Sequence, residues 1–220
     1  MHGARQLRPW ADDGRADDLQ VDYYVSLNSR WTHLGAARLM EATARHGATV
    51  RVHLVEVGPV FSASGGLPLP ERSPQRQAYR IQELARWRDA LAIPIHLEPK
   101  HFPATETTAA HCILAVREMI GDQPAVALTH RVLKALWEEP ADTGDRDAIG
   151  RLISEVGLDG PAVLEDANDE RWAVLRSQET RAAIDHGVFG VPTYAVGEDI
   201  VWGQDRLDVL ERRLGAGCRD

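Results

Sequence analysis

The chain has 220 residues, with 25 Lys+Arg against 33 Asp+Glu for a formal net charge of −8, and it is 44% hydrophobic and 26% charged. That is the composition of a folded globular chain, able to bury roughly 70% of its unfolded surface without a disulfide or metal staple, and its acidity excludes sequence-independent nucleic-acid binding. No apolar run approaches the ~20 residues a membrane helix needs, and the polar opening stretch lacks the apolar centre of a signal peptide, so a mobile tail over residues 1–20, no membrane partner and a cytoplasmic location are expected.

Val21 to Ser26 is rich in β-branched and aromatic residues and reads as a strand. The turn Leu27-Asn28-Ser29-Arg30 carries two residues suited to cap a helix, and a helical stripe of Trp31, Leu34, Ala37, Met40 and Ala44 follows to Arg45. Gly47 ends it, and Thr49 to Val57 reads as the next strand, so the opening is a βαβ unit with parallel strands. The Gly- and Pro-rich stretch from Gly58 to Pro74 reads as loop, and Gln75 to Leu91 as helix. Ile93 to Phe102 is broken by proline and reads as extended. Helical patterns then run over Thr105–Gly121, Gln123–Trp137, Asp145–Val156 and Pro161–Asp185. Thr193–Val196 and Ile200–Trp202 flank a turn and suit a hairpin, and Asp205 is placed to cap a closing helix to Leu214. The order predicts an α/β domain over residues 21–60 and 186–216, interrupted by an all-helical insertion over 61–185.

Ser29 is the first candidate for chemistry. A hydroxyl at the start of a helix lies beside unpaired N–H groups and the positive dipole end, where an anion or a thiolate is favoured; it also suits a plain N-cap. Arg30 would add positive charge if turned inward. Pro192 restricts Val191 to extended backbone. A cis Val191–Pro192 bond would turn the backbone of Val191 toward a peptide-like ligand, whereas a trans bond would simply start an edge strand. Asp205 can cap a helix or accept from an ammonium, and Arg76 can grip a carboxylate or lie solvated. His33, just past the turn, suits an acid, a base or a packing role. The nine histidines form no metal-ligand pair, and the two cysteines, Cys112 and Cys218, form no C-x-x-C. No metal and no thiol chemistry of the protein's own are therefore expected.

The stretch from Gly187, GVFGVPTYAVGEDIVWGQDRLDVL, together with Tyr79…Arg86-Trp87 and the Ala-Leu-Trp of Leu133 to Trp137, resembles the family of 2-hydroxychromene-2-carboxylate isomerases and kappa-class glutathione transferases. These are DsbA-like members of the thioredoxin fold, so a thioredoxin-like core (βαβ…ββα) with a helical insertion is implied.

The resemblance implies roles residue by residue. Ser29 stands where the family's serine hydrogen-bonds the sulfur of glutathione, and Thr32 stands where redox relatives carry their second cysteine. Val191 and Pro192 match the cis-proline that pairs with the cysteinyl backbone, Asp205 and Arg206 the pair near the γ-glutamyl end, and Arg76 a lysine contacting the tripeptide. Arg30, Trp31, Thr32 and His33 would face the substrate. The chain departs from the pattern at Arg30 (usually Pro), Thr32 (Ser), His33 (aromatic) and Gly66 (Asn), and after Phe102-Pro103, where Thr105 and His111 stand. The implied activity is a glutathione-dependent isomerisation of a small molecule. In it a thiolate adds to an electron-poor carbon, the ring opens, the new single bond rotates and the thiol leaves. A kappa-like transferase and a non-catalytic thiol-binding protein are the alternatives. Another low-molecular-weight thiol could replace glutathione, and a homodimer is implied.

Overall fold

The computed structural model describes residues 19–216. The expected tail as far as residue 18, and Cys218, lie outside the described residues. Strand β1 (Gln20–Val25) leads through a tight turn into α1 (Arg30–Arg45), then β2 (Thr49–Leu54). β1 and β2 pair in parallel with Tyr23 opposite Val52, as the crossover length demands. Seven α-helices separate β2 from the hairpin of β3 (Thr193–Val196) and β4 (Asp199–Trp202): α2 (Val57–Ser64), α3 (Pro74–Leu91), α4 (Thr107–Met119), α5 (Asp122–Trp137), α6 (Arg146–Glu155), α7 (Gly160–Asp166) and α8 (Arg171–Asp185). α9 (Leu207–Ala216) closes the chain. β3 pairs antiparallel to β1, giving the sheet order β2-β1-β3-β4.

Alternation along β1 divides the protein into layers. Val21, Tyr23 and Val25 face one way, into a core shared with Leu34 and Leu39 of α1 and with the apolar faces of α4, α5 and α9. Tyr24 faces the other way, against Val55, Val60, Ala183 and Val188 beneath α2 and α8. The first core is continuous from the sheet into the helices between β2 and β3. Trp137, fully buried at the end of α5, donates its indole N–H to the Leu27 carbonyl at 3.0 Å and so pins the β1–α1 turn.

Three expectations are corrected. The stretch after β2 is not loop throughout, because α2 occupies Val57–Ser64. Gly58 and Pro59 sit in its first turn, where an amide donor has no intrahelical partner to lose, and Gly65 closes it with φ 74°. The pattern over 161–185 is two helices, not one. Asp169 accepts from the Arg171 N–H at 2.9 Å, a local bond that competes with a continuous helix. Asp205 does not cap α9; it lies inside a 3-10 turn, Gln204–Arg206, that precedes it.

Close approach explains Gly35. A Cβ there would stand 2.7 Å from the Tyr194 hydroxyl and 2.9 Å from Cβ of Gln204, so α1 could not lie as tightly on β3. Gly35→Ala is expected to destabilise the fold by about 1–3 kcal/mol despite its better helix propensity. An unchanged denaturation midpoint would contradict that packing.

Candidate active site at the start of the first helix

Ser29 is the N-cap of α1, with φ −96° and ψ 110°. Its Oγ accepts from the Thr32 N–H at 3.2 Å, satisfying one of the helix's orphan donors. The hydroxyl proton is left facing the Val191 carbonyl at 3.4 Å, a long contact that a better acceptor would displace. The Val191–Pro192 peptide is cis, and the Val191 N–H finds no backbone acceptor among the described residues. A capping hydroxyl, the positive end of a 16-residue helix and an unpaired backbone edge therefore meet at one point.

That point opens on a cavity of about 350 Å³. Ser29, Val191 and Gly190 form one side; Trp31, Phe61, Phe102, Phe189 and Trp202 give it aromatic walls; Arg72, Arg80 and Glu106 are its charged residues. Gly190 is small for a reason, since a Cβ would meet Nε1 of Trp202 at 2.7 Å. A second recess of about 430 Å³ shares Trp31, Arg72 and Arg80 with the cavity and adds Arg76 and Tyr79.

Glu106 holds the floor. Its carboxylate accepts from the Ser26 hydroxyl at 2.6 Å, from the Asn28 backbone N–H, and from Arg176 at 3.0 Å. Asn28 in turn exchanges two side-chain bonds with the Ala104 backbone, at 2.8 and 3.0 Å. The segment before α4 is thereby tied to the turn that presents Ser29.

The sequence candidates are distributed unevenly around this centre. Ser29, Trp31 and Val191 line the cavity, and Arg76 lines the adjoining recess. Thr32 is fully buried beside Ser29 and its side chain faces the core. Arg30 is also buried, with its guanidinium 4.6 Å from the centre of the Phe102 ring and 5.0 Å from that of Trp137. Asp205 and Arg206 are exposed on the turn after β4, 4.0 Å apart, and neither lines the cavity. Gly66 is packed under Phe61, whose ring would lie 2.6 Å from any Cβ, so no side chain from that position reaches the site. Cys112 is buried in α4, and burial pushes its thiol up to about 12, which removes it as a nucleophile. Sequence reasoning missed Glu106, Phe102 and the Arg72–Arg80 pair. Part of the signal for the arginines was present in the spacing of Arg76 and Arg80, one turn apart on α3, with Arg72 just before the helix.

His33 takes the packing role. It is 7% exposed and its Nε2 lies 3.0 Å from Glu138. Burial pushes it down to about 4, with His130 and Lys134 adding to the effect, and burial does the same to His130. Both rings are neutral in the fold and charge on unfolding below their ordinary value of 6.5. The unfolded chain then binds more protons, so stability rises with pH from about 4 to 6.5 and is lost as pH falls, by up to roughly 3 kcal/mol per ring. Urea denaturation near pH 7 and near pH 5 should show that loss, and His130→Gln should flatten it. An equally steep acid limb in His130→Gln and in His33→Gln would contradict it.

Among the described residues no group of three or more His, Cys, Asp or Glu could hold a metal ion, and no helix is long and apolar enough to cross a membrane.

A parallel β1–α1–β2 unit completed by an antiparallel hairpin, with the capped start of α1 facing a cis-proline, defines a thioredoxin-type protein. The chain belongs to the DSBA-like thioredoxin domain family, whose model matches residues 20–215. Within that fold it is similar to the 2-hydroxychromene-2-carboxylate isomerase of Pseudomonas putida, 30% identical over 207 residues covering 90% of this chain and 96% of the relative. The enzyme of the same name from Pseudomonas sp. (strain C18) is 27% identical over 89% of this chain and 90% of its own. A solved 2-hydroxychromene-2-carboxylate isomerase superposes with a TM-score of 0.76 at 27% identity, covering 91% of this chain and 97% of that one.

Proposed function

We propose that this chain is an isomerase that uses a low-molecular-weight thiol, glutathione in the first instance, to isomerise a small unsaturated substrate. The observation that carries the reading is the meeting of the Ser29 hydroxyl, the start of α1 and the unpaired Val191 N–H on one side of the cavity. These residues fit a cysteinyl thiol. Ser29 can give its proton to a sulfur while still accepting from Thr32, and the Val191 backbone is free to pair with a peptide. When bound, the thiol supplies a nucleophilic sulfur that adds reversibly to an electron-poor carbon. The chain's own share is electrostatic and positional: Ser29 and the helix start favour the ionised sulfur, the cis Val191–Pro192 segment fixes the backbone of its carrier, and Trp31 and Phe102 exclude water from one face of the cavity. With no cysteine at position 29 or 32, the sulfur must come from the ligand. A cytoplasmic location, where reduced thiols are abundant, and a homodimer are part of the same proposal.

Turnover measured with thiol and substrate together tests the reading. An isomerase returns all of the thiol, so free thiol is unchanged when substrate is spent; one thiol lost per turnover would replace isomerase with transferase.

A further inference from the structure

Four arginines crowd one side of the site without a carboxylate to meet them. Arg30 is 3% exposed, and its Nε and Nη1 are buried with no hydrogen-bond partner. Nη1 of Arg80 is likewise buried and unpaired. Arg72 spends its Nε on the Leu67 carbonyl, at 2.8 Å, and forms no ion pair among the described residues; nor does Arg76. The nearby acids are engaged or remote. Glu106 is held by Arg176, and Glu83 by Arg86. Glu98 exerts some pull on Arg30 but forms no ion pair among the described residues. Elsewhere in this acidic chain, by contrast, arginines such as Arg45, Arg51, Arg117 and Arg131 pair with carboxylates.

The four charges also act on one another. Burial and the neighbouring Arg80 push Arg30 down to about 10; burial and Arg72 lower Arg80, and burial and Arg76 lower Arg72. Buried donors are nearly always satisfied, and an unpaired buried cation is costly. Such an arrangement is relieved by an anion from outside the chain. Arg76 lines only the recess, whereas Arg72 and Arg80 line both the recess and the cavity that holds Ser29. Arg72 and Arg80 thus face the substrate half of the site, and Arg30 adds a third unpaired charge behind its Phe102 wall without lining either hollow, together more than one carboxylate can neutralise.

We propose that Arg72 and Arg80, backed by the buried charge of Arg30, form a subsite for an organic dianion, so that the substrate is an unsaturated acid carrying two carboxylates, its flat body lying against Trp31 and Phe102. This identification of the ligand as substrate rests on the thiol-dependent reading; the anion site itself does not. Arg30 stays buried behind Phe102, over whose ring its guanidinium lies. Its charge therefore acts on whatever packs against that aromatic wall.

The test is calorimetric titration of the full chain, first without thiol, with three probes of one shape: methyl cinnamate, cinnamate and para-carboxycinnamate. The dicarboxylate is expected to bind about tenfold tighter or more than the monocarboxylate, a difference of about 1.4 kcal/mol or more, and both to weaken with added salt. The ester should bind weakest. Arg80→Gln should bring the dicarboxylate to the level of the monocarboxylate, and Arg72→Gln provides the same comparison from the more exposed side. Equal affinities for the three probes, or a dicarboxylate affinity unaltered in both folded variants, would overturn the proposal. Glutathione is the second arm. Retained probe binding in its presence supports a substrate subsite, whereas displacement of the probe would hand the arginines to the thiol and overturn it. If the probes discriminate as expected but glutathione itself shows no binding heat, the subsite stands and the thiol-dependent reading fails.

Discussion

Replacing Ser29 by alanine is expected to lower thiol-dependent turnover by about 10²–10³-fold, the usual effect of removing one donor aimed at developing negative charge in a dry site. The fold should survive, because the loss at the helix start is a single cap worth about 1 kcal/mol. The two effects separate because the hydroxyl does two things at once. It accepts from the Thr32 N–H, which is structural, and it offers a proton toward the long Val191 contact, which is not. Ser29→Thr keeps both functions and should retain most of the turnover. Ser29→Ala with full activity, or with loss of activity matched by loss of folded protein, would each contradict the role given to the residue.

Glu106→Ala is expected to be the most destabilising single change at the site, by about 3–5 kcal/mol. Arg176, 9% exposed, would be left as a buried cation still bound to the Leu54 carbonyl at 3.1 Å but without its carboxylate. The Ser26 hydroxyl and the Asn28 N–H would lose their acceptor in the same step. The double variant Glu106→Ala, Arg176→Met removes the orphaned charge and should recover part of the stability. Denaturation midpoints of the two singles and the double give the coupling directly. Full additivity would mean that the pair does not act as a unit. Because Glu106 ties the segment before α4 to the turn that carries Ser29, Glu106→Gln should lower activity at saturating thiol more than it lowers stability.

Much of the architecture is legible in the sequence because it is written in local periodicity. The β-branched and aromatic runs of β1 and β2, the stripe on α1 and the turn between β3 and β4 all correspond to elements at nearly the expected positions. Ser29 is legible as a cap for the same reason: the rule involves only residues within three positions of one another. What escapes is of two kinds. α2 is hidden by its own Gly58 and Pro59, which mark a loop by composition and a helix start by position. The floor and walls of the site depend on residues far apart in sequence. Glu106 meets Asn28 across 78 positions, and Arg30 reaches the Phe102 ring across a comparable distance, so no local pattern announces either. His33 shows the limit from the other side: adjacency to the turn suggested a place in the site, yet the helix aims its ring at Glu138, just past the end of α5. Motif resemblance pointed to Ser29 and Val191, which the structure brings together at the β1–α1 junction and the cis-proline loop. The charged side of the cavity, with Arg72 and Arg80, is not part of the motif the resemblance rests on.

The most direct measurement of the central claim is the ionisation of glutathione bound to the protein, followed by ultraviolet thiolate absorbance against pH. The account predicts a thiol pKa lowered by about one to two units in the wild type, equivalent to roughly 1.4–2.7 kcal/mol of preference for the ionised sulfur, and returned toward its free value in Ser29→Ala. A bound thiol that titrates as it does in free solution, or a lowered value that Ser29→Ala leaves in place, would contradict it.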